Sequence, residues 1–255
     1  MHSLPKTIPR VLWQTWRSHD LGPREQAAVD TWIDKNPEFE HRLCDDEECR
    51  AFVGEHFPEL LEVYNGFGLP VERADLWRYL VLYHYGGVYT DLDTRCLQPI
   101  RDWGLQDDDE LVICTEYPGQ YCQWTMVAAP GHPAFAKVIE QIHAQGSRRV
   151  TDHDIVDVIE RTGPRAWTRA IAARAGGRVR VLPTDRWCWT PSWITKRGRP
   201  PTTALAVHDY WGTWKGWERP HFGPDAEWPT GIRYAWLLVV KILKRAEGLV
   251  RGPRP

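Results

Sequence analysis

Two aspartates that follow an apolar stretch, Asp91 and Asp93, have the spacing of a metal site. The residues before them, 72–90, predict an amphipathic helix, a Gly-Gly turn and a short strand. Side chains two apart along a strand point to the same face, so both carboxylates can present oxygen atoms to one hard cation. The sequence therefore predicts a site for Mn²⁺ or Mg²⁺ at this strand end.

A second charged pair, Asp75 and Arg78, lies on the helix predicted before this strand. Residues three apart share a helix face, a carboxylate accepts hydrogen bonds from hydroxyls, and a guanidinium binds phosphate oxygens. Beside a divalent cation, this pair suits a diphosphate joined to a polyhydroxylated group, which is the chemistry of a nucleotide sugar. A surface ion pair is the simpler alternative, and Arg73 is a competing cation on the same helix.

Six motifs along the chain resemble, in order, the DXD glycosyltransferases of family 32. This is the group of the fungal initiating α-1,6-mannosyltransferases, and it is similar to the glucosyltransferase domains of clostridial toxins. A DXD alone recurs by chance, whereas six ordered motifs are specific. The motifs are IPRVLWQTW (8–16), NPEFEHRL (36–43), ERADLWRYLVLYHYGGVYTDLDT (72–94), GHPAF (131–135), TGPRAWTRAI (162–171) and AVHDYWGTW (206–214).

The resemblance implies a fold and a reaction. The expected fold is α/β, a GT-A type Rossmann-like nucleotide-sugar-binding domain with a mixed central sheet. The expected reaction is metal-dependent, retaining transfer of a sugar from a UDP- or GDP-linked donor to a glycan or lipid-linked acceptor. No carboxylate nucleophile is evident in the sequence, so we expect a front-face mechanism in which the leaving phosphate takes the acceptor proton.

The resemblance also implies roles for single residues. Asp75, Arg78 and Asp93 correspond to the catalytic set, and the first two also to ligands of the donor sugar. Trp16 corresponds to the aromatic residue that stacks on the nucleobase, and Trp214 to a second aromatic contact with the donor. Stacking does not distinguish UDP from GDP, because every base has a π-face.

Further site residues are expected from the two strand ends at Gln123 and His208. His208 ends a short apolar strand, and a neutral imidazole is a suitable third ligand for Mn²⁺. Asp209 is the alternative ligand. Gln123 and Glu116 flank a strand end that should face the site, where Gln123 would contact the sugar or the acceptor.

Other acidic clusters have structural interpretations. Asp152 and Asp154 form a second DXD at the start of a predicted helix, where aspartate serves as an N-cap. Residues 107–109, three consecutive aspartates, predict a solvated loop.

Two other classes of protein remain as alternatives. A haloacid-dehalogenase phosphatase also has a DxD after a buried strand, but it continues with Thr or Val where this chain has Arg95. A carbohydrate-binding protein without catalysis is suggested by the 15 Trp residues, yet such a protein needs no paired acids for a metal.

Composition indicates an ordinary folded protein. The 255 residues carry a net charge of −2 and 42% hydrophobic residues, which gives no sign of a nucleic-acid partner. Six cysteines without CxxC or zinc spacing predict reduced thiols. The N-terminus enters the first predicted strand almost at once, which leaves no room for a signal peptide and favours a cytoplasmic location.

One domain, residues 1–231, is expected, followed by a basic amphipathic helix and tail at 232–255. The apolar run 234–243 is too short to cross a bilayer, and lysines and arginines follow it. Peripheral binding to the anionic cytoplasmic membrane face and docking of this helix on the core both stay open.

Alternating strands and helices are predicted along the rest of the chain. The helices expected are 23–35, with Val29, Trp32 and Ile33 on its apolar face, 46–57 capped by Asp45, 133–145, and 155–175 interrupted at Gly163. A long loop that could cover the site is expected at 187–201. The strands expected are 8–13, 39–44, 110–115, 124–129, 178–183 and 204–208.

Overall fold

The computed structural model describes residues 5–117, 119–147, 155–173, 176–183, 188–189 and 200–211. Four expectations concern residues outside these ranges and stay predictions. They are those for Trp214, for Asp152 and Asp154, for most of the loop at 187–201, and for the segment 232–255. The division into residues 1–231 and 232–255 also stays a prediction.

The described residues form ten strands and seven α-helices, with two short 3₁₀ turns at Pro58–Leu60 and Ile100–Asp102. The strands are β1 Val11–Thr15, β2 Glu40–Cys44, β3 Gly87–Thr90, β4 Thr94–Cys96, β5 Leu111–Tyr117, β6 Gln120–Tyr121, β7 Thr125–Ala128, β8 Val179–Leu182, β9 Cys188–Trp189 and β10 Ala206–His208. The helices are α1 Pro23–Lys35, α2 Asp46–His56, α3 Leu61–Gly66, α4 Pro70–Tyr85, α5 Pro133–Gln145, α6 Ile155–Arg161 and α7 Pro164–Ala172.

The central sheet has seven strands in the described part of the chain. Its order is β2-β1-β3-β7-β5-β6, with β8 pairing β5. β1 pairs β2 and β3 in parallel, whereas β7 is antiparallel to both β3 and β5. The predicted α/β class with a mixed central sheet is confirmed.

A small second sheet contains β4, β10 and β9. β10 runs antiparallel to β4, with His208 opposite Thr94. Because β4 begins just after β3 ends, Asp91 and Asp93 lie at the junction of the two sheets.

Apolar side chains cover both faces of the central sheet. Tyr89 and Met126 belong to the core beneath α4, and Val88 and Val127 to the core on the opposite face. This alternation follows from the two-residue period of a strand. Trp13 is buried in the first of these cores.

The helix starts follow their local signals. Pro occupies the first turn of α1 and α5, and both helices have the predicted bounds. Asp45 caps α2 with a complete capping box, in which its side chain accepts from the Glu47 and Glu48 backbone N–H groups and the Glu48 side chain accepts from the Asp45 N–H. The predicted break at Gly163 separates α6 from α7.

Several expectations from the sequence are wrong. Ile33 is 42% exposed and does not belong to the apolar face of α1. The first strand begins at Val11 rather than Ile8. Asp109 is 1% exposed and pairs with Arg180 at 2.5 Å, because β8 brings an arginine onto a loop that looked solvated.

The cysteines also differ from expectation. Cys114 is disulfide-bonded, so the prediction of reduced thiols throughout is wrong for this residue. Among the described residues, Cys44, Cys49, Cys96 and Cys122 are free thiols. None of the helices in the described ranges has the length and apolar character needed to cross a bilayer.

Candidate active site

The candidate site lies at one edge of the central sheet. The parallel strands β1, β2 and β3 end at this edge, and the antiparallel β7 begins there. Trp16, Asp46 and Asp91 follow the three parallel strands, and Trp124 precedes β7. All four line an open cleft of about 470 Å³. Ligands of open α/β sheets bind at such an edge.

The turn between α4 and β3 fixes where Asp91 lies. Gly86 and Gly87 have φ of 67° and 100°, in the left-handed region that favours glycine. A Cβ atom at Gly87 would lie 2.6 Å from the carbonyl oxygen of Val11. The Gly-Gly turn therefore allows β3 to lie close beside β1, and β3 then delivers the two acids to the cleft.

Asp91, Asp93 and His208 come together as a candidate metal centre. One ligand atom from each lies within 4.8 Å of the others. His208 Nε2 is 3.0 Å from Asp93 Oδ1, and the Tyr89 hydroxyl donates to Asp91 Oδ1 at 2.6 Å. Two carboxylates and one imidazole fit Mn²⁺ or Mg²⁺ in donor chemistry, and this is the set predicted from the sequence.

The charged groups of the candidate metal centre shift each other's pKa values. Burial raises the pKa of Asp93, but His208 and the Trp211 N–H outweigh burial and hold it below its ordinary value. Burial lowers the pKa of His208, and Asp93 reverses this, so the net shift is upward. The pKa of Asp91 is raised by burial despite the neighbouring Arg78. The His208 imidazole and the two carboxylates therefore attract each other, which favours their close arrangement.

Asp75 and Arg78 form a buried pair rather than a surface one. Asp75 is 1% exposed and Arg78 is 4% exposed. Arg78 Nη2 lies 3.2 Å from Asp75 Oδ1 and 3.1 Å from Asp91 Oδ1. The guanidinium therefore joins the helix carboxylate to the first acid of the DXD motif. Burial lowers the pKa of Arg78, but Asp91 and Asp75 oppose burial and the net shift is upward.

Both oxygens of Asp75 are held by other residues as well. Gln123 Nε2 donates to Oδ1 at 3.0 Å, and Thr162 Oγ1 donates to Oδ2 at 2.8 Å. The Tyr79 hydroxyl contacts the Gln123 side-chain oxygen and, at 2.9 Å, the Thr162 carbonyl. Burial raises the pKa of Asp75 to about 6, and Arg78 and Thr162 oppose the rise. Gln123 lies at the site as predicted, with its amide engaged by Asp75 and Tyr79.

Aromatic and basic side chains cluster near β1 beside the end of the cleft, which Trp16 and Arg17 line. The Trp16 ring meets the Trp211 ring edge to face, with centroids 6.2 Å apart. The Arg24 guanidinium lies 4.1 Å from the centre of the Trp211 ring, and that of Arg17 lies 5.5 Å from the centre of the Trp16 ring. The backbone N–H of Trp211 donates to Asp93 Oδ2 at 3.0 Å, which links this aromatic end to the metal centre.

The two alternative residues, Asp209 and Arg73, have other partners in the structure. Asp209 forms two hydrogen bonds with Arg95, of 2.7 and 2.9 Å, and does not belong to the cluster of Asp91, Asp93 and His208. Arg73 donates to the Phe67 carbonyl at 3.1 Å and does not line the cleft. Glu116 lines the cleft as expected and accepts from the Tyr210 hydroxyl.

Three residues of the site were not predicted. Thr162 and Trp211 lie inside motifs that resemble the family, and this resemblance was the only sign in the sequence that they belong to the site. Asp46 follows the predicted cap residue Asp45, and a cap and a ligand look alike in sequence. The catalytic and binding roles of the predicted residues stay predictions, although the structure brings all of those in the described ranges into one cleft.

A family model is similar to part of the first half of the chain. Residues 22–109 match the family model described as the glycosyltransferase sugar-binding region containing DXD motif. Similarity to that family is therefore shown for these residues. They contain α4, the Gly-Gly turn and the DXD acids themselves, so the resemblance drawn from the motifs is confirmed.

Curated relatives cover a longer part of the chain. The initiation-specific alpha-1,6-mannosyltransferase of Schizosaccharomyces pombe is 34% identical over 199 residues, 64% of this chain and 48% of the relative. Inositol phosphoceramide mannosyltransferase 2 of the same yeast is 32% identical over 141 residues, 53% of this chain and 38% of the relative. The chain thus spans half or less of the length of these two relatives.

A solved structure titled PaToxG Glycosyltransferase is similar to this chain with a TM-score of 0.48. It is 17% identical in sequence, and the match covers 66% of this chain and 69% of that one.

Proposed function

We propose that this chain is a metal-dependent, retaining glycosyltransferase that uses a nucleotide-sugar donor. The observation that carries the proposal is the meeting of Asp91, Asp93 and His208 with the Asp75–Arg78 pair in one cleft of the DXD region. The relatives' names support mannose as the sugar, and a glycan or an inositol phosphoceramide as the acceptor.

Asp91, Asp93 and His208 would hold Mn²⁺ or Mg²⁺, which when bound neutralises charge on the departing diphosphate. Arg78 contributes a fixed positive charge beside Asp91, where negative charge grows as the donor bond breaks. Its position is set before the donor arrives, because Asp75, Asp91 and the Gln123 carbonyl hold it. Trp16 offers a ring for the nucleobase at the other end of the cleft.

A front-face reaction is supported by the state of the nearby carboxylates. Both oxygens of Asp75 accept hydrogen bonds, and its side chain is almost fully buried, so it is a poor nucleophile. Glu116 accepts from the Tyr210 hydroxyl. We propose that the acceptor hydroxyl attacks from the face that the diphosphate leaves, and that the leaving phosphate oxygen accepts the hydroxyl proton.

Turnover of donors tests the proposal. The protein is incubated with GDP-mannose, GDP-fucose, UDP-glucose and UDP-galactose, with Mn²⁺ or with EDTA, and released nucleoside diphosphate is measured. We expect slow Mn²⁺-dependent hydrolysis of one donor, accelerated by a mannoside or inositol-phosphate acceptor. Binding of free sugars without release of nucleotide from any donor would instead favour a carbohydrate-binding protein, and metal-dependent cleavage of p-nitrophenyl phosphate would favour a phosphatase.

A further inference from the structure

The acid Asp46 lies just after β2, at the edge of the sheet that the cleft occupies. β1, α1 and β2 form a parallel strand-helix-strand unit, with Thr15 opposite Cys44 at its end. The pairing continues one residue further, since the Trp16 N–H donates to the Cys44 carbonyl at 3.1 Å. Trp16 and the two acids after β2 are therefore neighbours at the edge of the sheet.

These two acids have different local roles. Asp45 is committed to the cap of α2, where its Oδ1 accepts from Glu47 N–H at 3.0 Å and Glu48 N–H at 2.9 Å. The carboxylate of Asp46 has no hydrogen bond within the described residues and lines the cleft together with Trp16 and Arg17. Asp46 is exposed to solvent at the edge of the cleft, and desolvation there raises the pKa of its carboxyl group although Arg73 opposes the rise.

We propose that Asp46 binds the ribose hydroxyls of the nucleotide donor. The inference rests on the proposed function and adds a binding residue to it. A carboxylate is an acceptor only, and its two oxygens match the two O–H donors of a 2′,3′-diol. An acid at the carboxyl end of the second strand of such a unit is suitably placed to reach a ribose whose base or phosphate lies near the first strand.

Other parts of the nucleotide fit Asp46 less well. The diphosphate is excluded as its ligand, because like charges repel. The base is expected on the Trp16 ring, and the candidate cation centre is formed by other residues, at Asp91, Asp93 and His208. An N–H edge of the base is the remaining donor, and it is an outcome that the experiment separates from ribose binding.

The test is a ligand and mutant cycle measured by calorimetry with Mn²⁺. GDP and UDP are compared first, and the tighter ligand is then used as the ribonucleotide, the 2′-deoxynucleotide and the 3′-deoxynucleotide. The proteins are the wild type, Asp46→Asn and the matched control Glu47→Gln, which loses the same charge one residue away at an exposed position. Melting curves verify that all three proteins fold alike.

The wild type and Glu47→Gln should bind the ribonucleotide about tenfold more tightly than at least one deoxynucleotide, since hydrogen bonds to a charged group are strong. In Asp46→Asn this preference should fall to about twofold or less, by weaker binding of the ribonucleotide alone.

Three results would overturn the proposal. The wild type could bind ribo- and deoxynucleotides alike, Asp46→Asn could keep the preference, or Asp46→Asn could weaken all three ligands equally, which would indicate contact with the base. In each case nucleotide binding itself persists and the proposed function stands. Absence of binding by GDP and UDP in the presence of Mn²⁺ would overturn both proposals together.

Discussion

At the scale of single residues, the most constrained group is the Asp75 carboxylate. It is buried, yet Arg78, Gln123 and Thr162 all direct hydrogen-bond donors at it. Burial disfavours the ionised form and the donors favour it, and the balance leaves the pKa at about 6. Asp75 can therefore change its charge close to neutral pH, and its neighbours decide at which pH this happens.

Replacing Thr162 with valine should shift this balance. The variant loses the donor to Asp75 Oδ2, so the pKa of Asp75 should rise further. Asp75 is ionised above its pKa, and activity should fall as the pH drops through it. The acid limb of kcat/KM against pH should therefore move to higher pH in Thr162→Val, and Thr162→Ser should restore it.

Asp91, Glu72 and Tyr79 also face Asp75 and are unchanged in both variants. A uniform loss of activity at every pH, with the acid limb in place, would show that Thr162 matters for packing alone.

The site residues differ in how far the sequence predicts them. Asp75 and Arg78 are three apart on one helix, so their contact follows from local geometry. Thr162 is 87 residues from Asp75, and no periodic pattern connects them. Contacts of this length depend on how α6 and α7 pack on α4, which propensity and spacing do not determine.

At the scale of elements, helix ends follow local chemistry and strand ends do not. The starts of α1, α2 and α5 were predicted because prolines and a capping aspartate act on their own backbone. Strand ends depend on the partner strand, and β1 begins three residues later than its apolar pattern suggests. Asp109 likewise found its partner, Arg180, only through the pairing of β5 with β8.

The cap of α2 can be tested by Asp45→Ala. The variant loses two hydrogen bonds to backbone N–H groups, and the helix that carries Asp46 begins there. The free energy of unfolding should fall by about 1 kcal/mol, which corresponds to a drop of roughly 2–4 °C in Tm for a chain of this size. Asp107→Ala, at an exposed turn, is the control. Equal melting of both variants would show that the cap contributes nothing.

At the scale of the whole molecule, the metal centre depends on the joining of two sheets. Asp91 and Asp93 lie between β3 of the central sheet and β4 of the small sheet, and His208 ends β10, which pairs with β4. His208 is 115 residues from Asp93 in sequence. His208 was expected as a ligand because it ends a short apolar strand and imidazole suits Mn²⁺, but no local rule connects residues so far apart in the sequence.

The C-terminal residues 232–255 carry a separate prediction. An apolar run with lysines and arginines beside it should bind anionic membranes, with about 1 kcal/mol from each basic residue near the surface. Deleting the residues after Arg233 should reduce sedimentation with phosphatidylserine vesicles, and added salt should do the same to the full chain. A lower Tm with unchanged sedimentation would indicate a helix docked on the core instead.

We expect Asp91, Asp93 and His208 to hold a divalent cation that binds the donor diphosphate. Calorimetric titration of GDP and UDP, with Mn²⁺ and with EDTA, tests it in the wild type, Asp93→Asn and the exposed-site control Asp107→Asn. For the nucleotide that binds, we expect Mn²⁺ to strengthen binding by about tenfold or more, roughly 1.4 kcal/mol, in the wild type and the control, and by less than about twofold in Asp93→Asn. Equal affinity with Mn²⁺ and EDTA in the wild type, or full metal dependence in Asp93→Asn, would contradict the account.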